Sequence, residues 1–157
     1  MSESSSIPPR DTHTLTLRAP AAPDEWDRYF DLRWRVLRAP WDQLRGSERD
    51  NLERDSVHLA LWDQDGVPLA VGRVHLNSAT EAQVRFMAVE PPFSGRGLGG
   101  RILGALENRA RELGAVIVVL NARAEAEPFY VRHGYARSGA ADTLFGEILH
   151  FRMRKAL

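Results

Sequence analysis

Apolar residues along this chain either alternate with polar ones, form short runs, or recur at helical spacing, and polar breaks separate these segments. Strands are predicted over His13–Arg18, Val57–Trp62, Val67–Leu76, Gln83–Val89, Ala115–Leu120, Tyr135–Ser138 and Glu147–Arg154. Helices are predicted over Glu25–Arg38, from about Gly97 to Leu113, over Ala124–His133 and, as a short acidic segment, over Glu48–Asp55.

Turn and capping residues mark the ends of these segments. Asp24 is a suitable N-cap for the first helix, and Pro40 ends it. The segment Asp63–Gly66 joins two strands and is typical of a hairpin. Gly114 and Gly134 stand where a helix stops at a residue in the left-handed conformation.

The order of the elements predicts the fold class. Gln83–Leu120 reads strand, helix, strand, so its two strands should run parallel with a right-handed crossover. The strands before it should form an antiparallel meander. We therefore expect an α/β (α+β) fold, in which a mixed, mostly antiparallel central sheet has helices on both faces. The 157 residues fit one domain, predicted over residues 13–157 after a flexible tail at Met1–Thr12.

The composition narrows the classes of function. Lys and Arg number 21, as do Asp and Glu, so no net charge favours nucleic acid or a membrane as partner. The absence of cysteine excludes disulfides, thiolate metal sites and a cysteine nucleophile, and no other cluster has metal-ligand spacing. No apolar run approaches about 18 residues, and the amino terminus has no signal-peptide core. A cytoplasmic location is expected.

A glycine-rich turn lies between a predicted strand and the longest predicted helix. Gly95, Gly97, Gly99 and Gly100 surround Arg96 there. The first N–H groups of a helix have no intrahelical partner and carry the positive end of the helix dipole. Glycines let a ligand approach those groups closely, and the arginine adds a cation. The turn therefore predicts phosphate binding, with steric packing of the glycines as the alternative.

The spacing of Gly95, Gly97 and Gly100 also matches the G-x-G-x-x-G fingerprint of dinucleotide-binding folds, which alone is a weak signal. Such folds place an acidic residue about 20 positions further on, at the end of the next strand. Asn121 ends that strand here. A Walker A loop is excluded because no Gly-Lys-Ser/Thr follows. A dinucleotide-dependent enzyme therefore remains a minor alternative.

Two motifs resemble those of the GNAT superfamily of acyl-CoA N-acyltransferases. The first combines Met87-Ala88-Val89 with Arg96-Gly97-Leu98-Gly99 and a following helix. The second is the Ala-x-x-Phe-Tyr-x-x-x-Gly-Tyr pattern from Ala126 to Tyr135, and Asn121 lies between the two. The motifs stand in the family's order, and the elements match it along nearly the whole chain. Ser94 departs from the family, which has Gln or Arg at that position.

The resemblance implies the acyl-CoA N-acyltransferase fold, with the parallel strand pair splayed apart, and acetyl-CoA (coenzyme A) as cofactor. The pantetheine arm would pair with the backbone of the first splayed strand, where an amide N–H would polarise the thioester carbonyl. The implied cofactor-binding residues are Met87, Ala88, Val89, Gly95, Arg96, Gly97, Leu98, Gly99, Gly100, Asn121, Phe129 and Tyr130.

The resemblance also implies a catalytic role for Tyr130, which would protonate the leaving thiolate. A phenol suits this role because its pKa is close to that of a thiol. Glu147 and His150 are candidates for the base that takes the amine proton, with Glu81, Glu48 and a chain of waters as alternatives. The predicted function is acetyl transfer from acetyl-CoA to a small-molecule or peptide amine. A non-catalytic CoA-binding or regulatory module on the same fold is the alternative.

Two further features bear on the partners. Arg85 on a central strand is unusual unless it pairs with an acid or with a substrate carboxylate. Glu48, Asp50 and Asp55 form an acidic segment that either attracts a cationic amine or is a solvated face. Many proteins of this fold form homodimers, and no feature of the sequence decides this here.

Overall fold

A computed structural model of the chain describes residues 14–140, 143–146 and 148–157. The predicted tail, Met1–Thr12, and the predicted catalytic residue Glu147 lie outside these ranges. The strands are β1 (Thr16–Arg18), β2 (Val57–Trp62), β3 (Pro68–Leu76), β4 (Glu81–Val89), β5 (Ile117–Arg123), β6 (Ala136–Ala140) and β7 (His150–Ala156). The helices are α1 (Pro23–Leu37), α2 (Leu98–Glu112) and α3 (Glu127–Arg132), and 3₁₀ turns cover Ala39–Trp41, Glu53–Asp55, Pro91–Phe93 and Ala124–Ala126.

The strands form a single sheet in the order β1-β2-β3-β4-β5-β7-β6. Antiparallel pairing links every pair of neighbours except β4 and β5, which run parallel. Helix α2 connects these two strands. The predicted mixed, mostly antiparallel sheet with one parallel pair is confirmed.

Helices cover both faces of the sheet. On β2, Leu59 and Leu61 point to one face and Ala60 and Trp62 to the other, and all four are at most 6% exposed. The first face packs against α2 and α3, in a cluster that includes Ile102. The second face packs against α1. Because central strands are buried on both faces, they read as continuous apolar runs in the sequence.

Helix α1 starts at Pro23, and its N-cap is Ala22 rather than the predicted Asp24. Proline at the first helical position costs the helix no hydrogen bond, because an N–H at that position would have no intrahelical partner. The carboxylate of Glu25 accepts the N–H of Ala21 at 2.9 Å and thereby satisfies the backbone before the helix. The capping function therefore falls to a glutamate inside the first turn.

The predicted helix over Glu48–Asp55 is wrong, since only its last residues, Glu53–Asp55, form a 3₁₀ turn. The carboxylates in this segment bind backbone instead. Asp50 accepts the N–H of Leu52 at 2.9 Å, and Glu53 accepts the N–H of Asp50 at 3.0 Å. Such local side-chain bonds compete with helix formation.

The predicted helix stops are confirmed. Gly114 follows α2 with a φ of 99°, and Gly134 follows α3 with a φ of 94°. Helix α3 is shorter than predicted because Ala124–Ala126 form a 3₁₀ turn, while β5 runs past its predicted end to Arg123. In the part of the chain that the structure describes, no helix is long and apolar enough to cross a membrane.

Candidate active site

The two parallel strands separate partway along their length. Strands β4 and β5 pair only between Glu81–Gln83 and Ile117–Val119. Beyond this point β4 still pairs with β3, and β5 with β7, so the facing edges of the two strands have no partner among the strands of the described residues. The gap forms a cleft of about 330 Å³. Among the residues that line it are four predicted site residues: Met87, Asn121, Tyr130 and His150.

A β-bulge bends β4 beside this cleft. The register of β3 with β4 shifts between Val71 and Arg73, so that Phe86 and Met87 together face Gly72. Phe86 has a φ of 57°, a left-handed conformation that is rare for a bulky residue. Bulges re-aim backbone and side-chain groups and are frequent next to active sites.

The glycine-rich turn lies at the start of α2. Gly97 is the N-cap of the helix with a φ of 80°, and Gly95 has a φ of 78°. A Cβ on either residue would meet no atom within 4 Å. The space in front of the first N–H groups of α2 is therefore open to a ligand, and the side chain of Arg96 beside it is exposed. This arrangement fits a phosphate.

The other two glycines of the turn serve helix packing. A Cβ on Gly99 would lie 3.3 Å from the ring of Phe129, and one on Gly100 would lie 2.8 Å from Nε2 of His133. The first turn of α2 therefore needs small residues where α3 packs against it. Steric packing, the alternative considered from the sequence, explains these two positions.

The remaining predicted cofactor contacts differ in whether they can offer a side chain or only backbone groups to a ligand. Ala88 and Leu98 are 5% and 2% exposed, and their side chains lie in the two cores, so they offer only backbone to a ligand. Val89 and Phe129 are half-buried against the core under α2. Asn121 is exposed on β5 and lines the cleft.

Tyr130 lies on α3 at the wall of the cleft and is 9% exposed. Its hydroxyl makes no hydrogen bond to any residue within the described ranges. Burial raises the pKa of Tyr130 to about 12, although the nearby charge of Arg123 opposes this shift. The phenol is therefore protonated at neutral pH, as a proton donor must be.

His150 begins β7 and lines the same cleft. Its Nδ1 lies 2.9 Å from the carbonyl oxygen of Ile148 and donates to it when the ring is neutral, which leaves the lone pair on Nε2. Burial lowers the pKa of His150, and the charges of Arg123 and Arg38 act in the same direction, against the bond to Ile148. The ring is therefore neutral at pH 7, and Nε2 can accept a proton.

The other candidate bases lie elsewhere. Glu81 accepts a hydrogen bond from Asn77 at 2.8 Å, and Glu48, which is 4% exposed, accepts one from Arg49 at 3.1 Å. Neither glutamate lines the cleft. Glu147 lies outside the described residues and stays a prediction from the sequence.

Residues 26–135 match the family model described as the acetyltransferase (GNAT) family. The chain belongs to the GNAT acetyltransferase family. A relative from Bacillus subtilis (strain 168), "Uncharacterized N-acetyltransferase YjcF", is 34% identical over 108 residues, which are 69% of this chain and 76% of the relative. The aminoalkylphosphonate N-acetyltransferase of Salmonella typhimurium is 26% identical over 147 residues, which are 87% of this chain and 88% of that protein.

A solved structure agrees with the family assignment. The crystal structure of an acyl-CoA N-acyltransferase from Pseudomonas aeruginosa matches this GNAT protein with a TM-score of 0.74 and 25% identity, over 90% of this chain and 98% of the other. The protein is therefore an N-acetyltransferase that uses acetyl-CoA. Across the described ranges, no group of three or more His, Asp and Glu side chains is placed to hold a metal ion.

Two arginines in the cleft of this GNAT protein were not predicted. Arg38, which is 6% exposed, follows α1, and Arg123, which is half-buried, ends β5. Both donate to backbone carbonyl oxygens, Arg38 to Ser47 at 3.0 Å and Arg123 to Leu37 at 2.9 Å. Charged residues at the end of a helix or strand are usually solvated, so the sequence pattern carried no signal for them.

A buried ion network stands behind the cleft. Arg33 and Arg73 have no exposed surface. Arg73 contacts both oxygens of Asp50, at 2.7 and 3.1 Å, and both arginines bind Glu53 at 2.9 Å. Arg85, which we expected to need an acidic partner or a substrate carboxylate, bonds to Asp50 at 2.6 Å. The carboxylates of Asp50 and Glu53 thus neutralise arginines rather than face a cationic amine.

Proposed function

We propose that this protein transfers the acetyl group of acetyl-CoA directly to a primary amine bound in the cleft between β4 and β5. The observation that carries the proposal is the early end of β4–β5 pairing. It leaves the backbone edge of β4 open in the same cleft that Tyr130 and His150 line. The sequence contains no cysteine that could carry the acyl group in place of direct transfer.

The residues present fit the cofactor. The open N–H groups at the start of α2, with Gly97 and Arg96, would hold the pyrophosphate. The free edge of β4 at Met87–Val89 would bind the pantetheine amides as a sheet edge binds an added strand, and Asn121 stands across the gap. When bound, acetyl-CoA supplies the acetyl group as a thioester.

Two side chains would move protons. Nε2 of His150 takes a proton from the acceptor nitrogen as the new N–C bond forms. The hydroxyl of Tyr130 would donate its proton to the sulfur of the leaving thiolate. A backbone N–H of the bulged strand would polarise the thioester carbonyl. Glu147 is the alternative base, on the sequence prediction alone.

The names of the relatives support an amine acceptor. The Bacillus subtilis protein is named an N-acetyltransferase, and the Salmonella typhimurium protein is named for acetylating aminoalkylphosphonates. We therefore expect that the acetylated atom is a nitrogen here too.

The test separates binding from chemistry. Calorimetry should detect acetyl-CoA binding in the micromolar range, and a panel of primary amines with thiol detection should reveal turnover. Tyr130→Phe removes a hydroxyl that has no partner among the described residues. We therefore expect cofactor affinity and Tm to stay unchanged while kcat falls by about 10²–10⁴-fold.

Tyr135→Phe is the matched control. The hydroxyl of Tyr135 donates to Glu107 at 2.8 Å, and the residue does not line the cleft. Its loss should lower the free energy of unfolding by about 1 kcal/mol and leave kcat unchanged. An unchanged kcat in Tyr130→Phe would contradict the proposed role of Tyr130 as proton donor. Binding of acetyl-CoA without acetylation of any amine would favour the non-catalytic CoA-binding module, and no binding at all would overturn the proposed function.

A further inference from the structure

Four guanidinium groups surround the ring of Phe86, the bulge residue of β4. The central carbons of Arg33, Arg85, Arg73 and Arg38 lie 4.3, 4.4, 5.0 and 5.5 Å from the ring centroid. Cations are attracted to the face of an aromatic ring at such distances. The bulge therefore gathers a cluster of arginines behind and beside the cleft.

Carboxylates neutralise only part of this charge. Asp50 and Glu53 bind three of the four arginines, the exception being Arg38. Among the described residues, no carboxylate lies within 4.0 Å of Arg38 or of the neighbouring Arg123. Glu48, which also binds Arg49, and Glu125 act on Arg38 and Arg123 only from beyond contact distance. Five guanidinium groups thus have two carboxylates in direct contact, and the cluster carries an excess of positive charge.

Arg38 has neither a carboxylate in contact nor a hydrogen-bond partner for each of its donors among the described residues. Burial lowers the pKa of Arg38 to about 10, and the charges of Arg85 and Arg123 act in the same direction, against the carboxylate of Glu48. Arg38 therefore stays charged at pH 7 and is repelled by the neighbouring arginines. Its Nε and Nη1 donate to the carbonyl oxygens of Ser47 and Leu37. Its Nη2 makes no hydrogen bond to a described residue. An anion placed here would gain a donor and relieve the repulsion.

The same cleft holds both the arginines and the groups proposed for proton transfer. Arg38, Arg85 and Arg123 line it together with Tyr130 and His150. Its volume of about 330 Å³ is near the lower limit for small-molecule sites, which is about 300 Å³. A small acceptor whose amine reaches His150 therefore has its other end close to the arginines.

We propose that the acceptor is a small amine that also carries an anionic group, a carboxylate or a phosphonate, and that Arg38, Arg85 and Arg123 bind this group. The inference rests on the proposed acetyl transfer and adds the chemical class of the acceptor. Guanidinium groups suit both anions because they present paired N–H donors in a plane. A polyamine would be repelled by the same charges.

Matched amines test this in the wild-type protein. β-Alanine and 2-aminoethylphosphonate carry the anion, propylamine and β-alaninamide replace it with a neutral group, and putrescine replaces it with a cation. With acetyl-CoA and thiol detection, we expect kcat/KM for at least one anionic amine to exceed that of the neutral amines by about tenfold or more. Comparing kcat/KM for β-alanine and for 2-aminoethylphosphonate shows whether the site prefers a carboxylate or a phosphonate.

Arg38→Gln and Arg123→Gln each remove one charge without touching the buried ion network. For the anionic amine we expect KM to rise about tenfold, whereas KM for the neutral amines should change much less, because they carry no anionic group for the guanidinium to bind. Arg54→Gln removes an exposed arginine outside this cleft and should change nothing. Calorimetry with CoA and thermal unfolding check the cofactor site and the fold of each variant. Two independent variants keep the test valid if one folds poorly.

A second measurement needs no turnover. Anionic amines should raise the Tm of the CoA-saturated protein, whereas neutral amines should not. Preference for neutral or cationic amines, an anionic preference that survives both arginine variants, or anionic amines that neither bind nor react would overturn this acceptor class while acetyl-CoA binding stands. Failure to bind acetyl-CoA would overturn the proposed function as well.

Discussion

The substitution Gly72→Ala probes the packing behind the β4 bulge, which shapes the cleft. Gly72 lies on β3 opposite Phe86 and Met87. A Cβ added to it would stand 2.7 Å from Cγ2 of Ile102, 2.8 Å from Cδ1 of Leu106 and 2.9 Å from Sδ of Met87. Both α2 residues have no exposed surface, so neither side chain has solvent to move into.

The magnitude follows from these three contacts. The sulfur of Met87 lies near the end of a flexible side chain and can move aside, but Cγ2 of Ile102 is bonded to Cβ and moves only with χ1 or with the helix. Overpacking a filled core costs about 1–3 kcal/mol, while Gly→Ala gains about 0.4–1 kcal/mol by restricting the unfolded chain. The free energy of unfolding should therefore fall by about 1–2 kcal/mol. In a domain of this size, Tm should fall by about 2–8 °C.

Thermal and urea unfolding, followed by circular dichroism, measure the change, and calorimetry with CoA shows whether the bulge has moved. Gly104→Ala is the control, because Gly104 lies within α2 and a Cβ there would meet no atom within 4 Å. It should gain up to about 1 kcal/mol from helix propensity. A Gly72→Ala protein as stable as the wild type, measured beside a stabilised Gly104→Ala protein, would refute the packing argument.

Three further substitutions test the network, the base and the turn. Asp50→Asn should lower the free energy of unfolding at pH 7 by about 2–3 kcal/mol, because the buried guanidinium of Arg73 loses its two-oxygen partner. Burial would raise the pKa of Asp50, but hydrogen bonds from Arg73 and a backbone N–H lower it from 3.8 to about 2. This stabilisation is therefore present above about pH 4 and lost toward pH 2, and urea titrations of the variant across that range should show a flatter pH dependence. His150→Gln should lower kcat/KM about 10²-fold, because it removes the proposed base. The wild-type activity should fall as the pH drops through the pKa of His150, which burial lowers from 6.5, and the variant should lack this fall at acidic pH. A variant that keeps the same fall at acidic pH would speak against His150 as the base. Gly97→Ala should cost about 1–2 kcal/mol of stability because its φ is 80°, and a stability equal to that of the wild type would mean that the turn relaxes at no cost.

Much of the site could be predicted from the sequence because its residues lie in contiguous motifs. The resemblance named Met87, Asn121 and Tyr130, and the alternation of the last strand named His150. The structure brings all four to one cleft. Their catalytic and binding roles stay predictions until the variants above are measured.

The arginines show what a sequence pattern leaves out. Arg33 stands at helical spacing from Tyr29 and Phe30, on the buried face of α1, where an apolar residue would be expected, and it is fully buried. Its burial depends on Glu53, 20 positions further along the chain, and on the ring of Phe86. A helical wheel contains no information about such partners. For the same reason the sequence predicts a helix over Glu48–Asp55, whereas the carboxylates of Asp50 and Glu53 turn inward to the arginines.

By itself, the sequence determined the order of the seven strands and of α1, α2 and α3, although it also predicted a helix over Glu48–Asp55 that the structure does not have. It further determined the helix stops at Gly114 and Gly134 and the glycine-rich turn before α2. These features depend on backbone geometry within a few residues, so neighbouring residues are enough to predict them. Only the tertiary structure decided where β4 and β5 part, where the bulge at Phe86 lies and which charges in the cleft stay uncompensated. Those features arise from pairing and burial between segments far apart in the chain, and it is these contacts that give the cleft its excess positive charge.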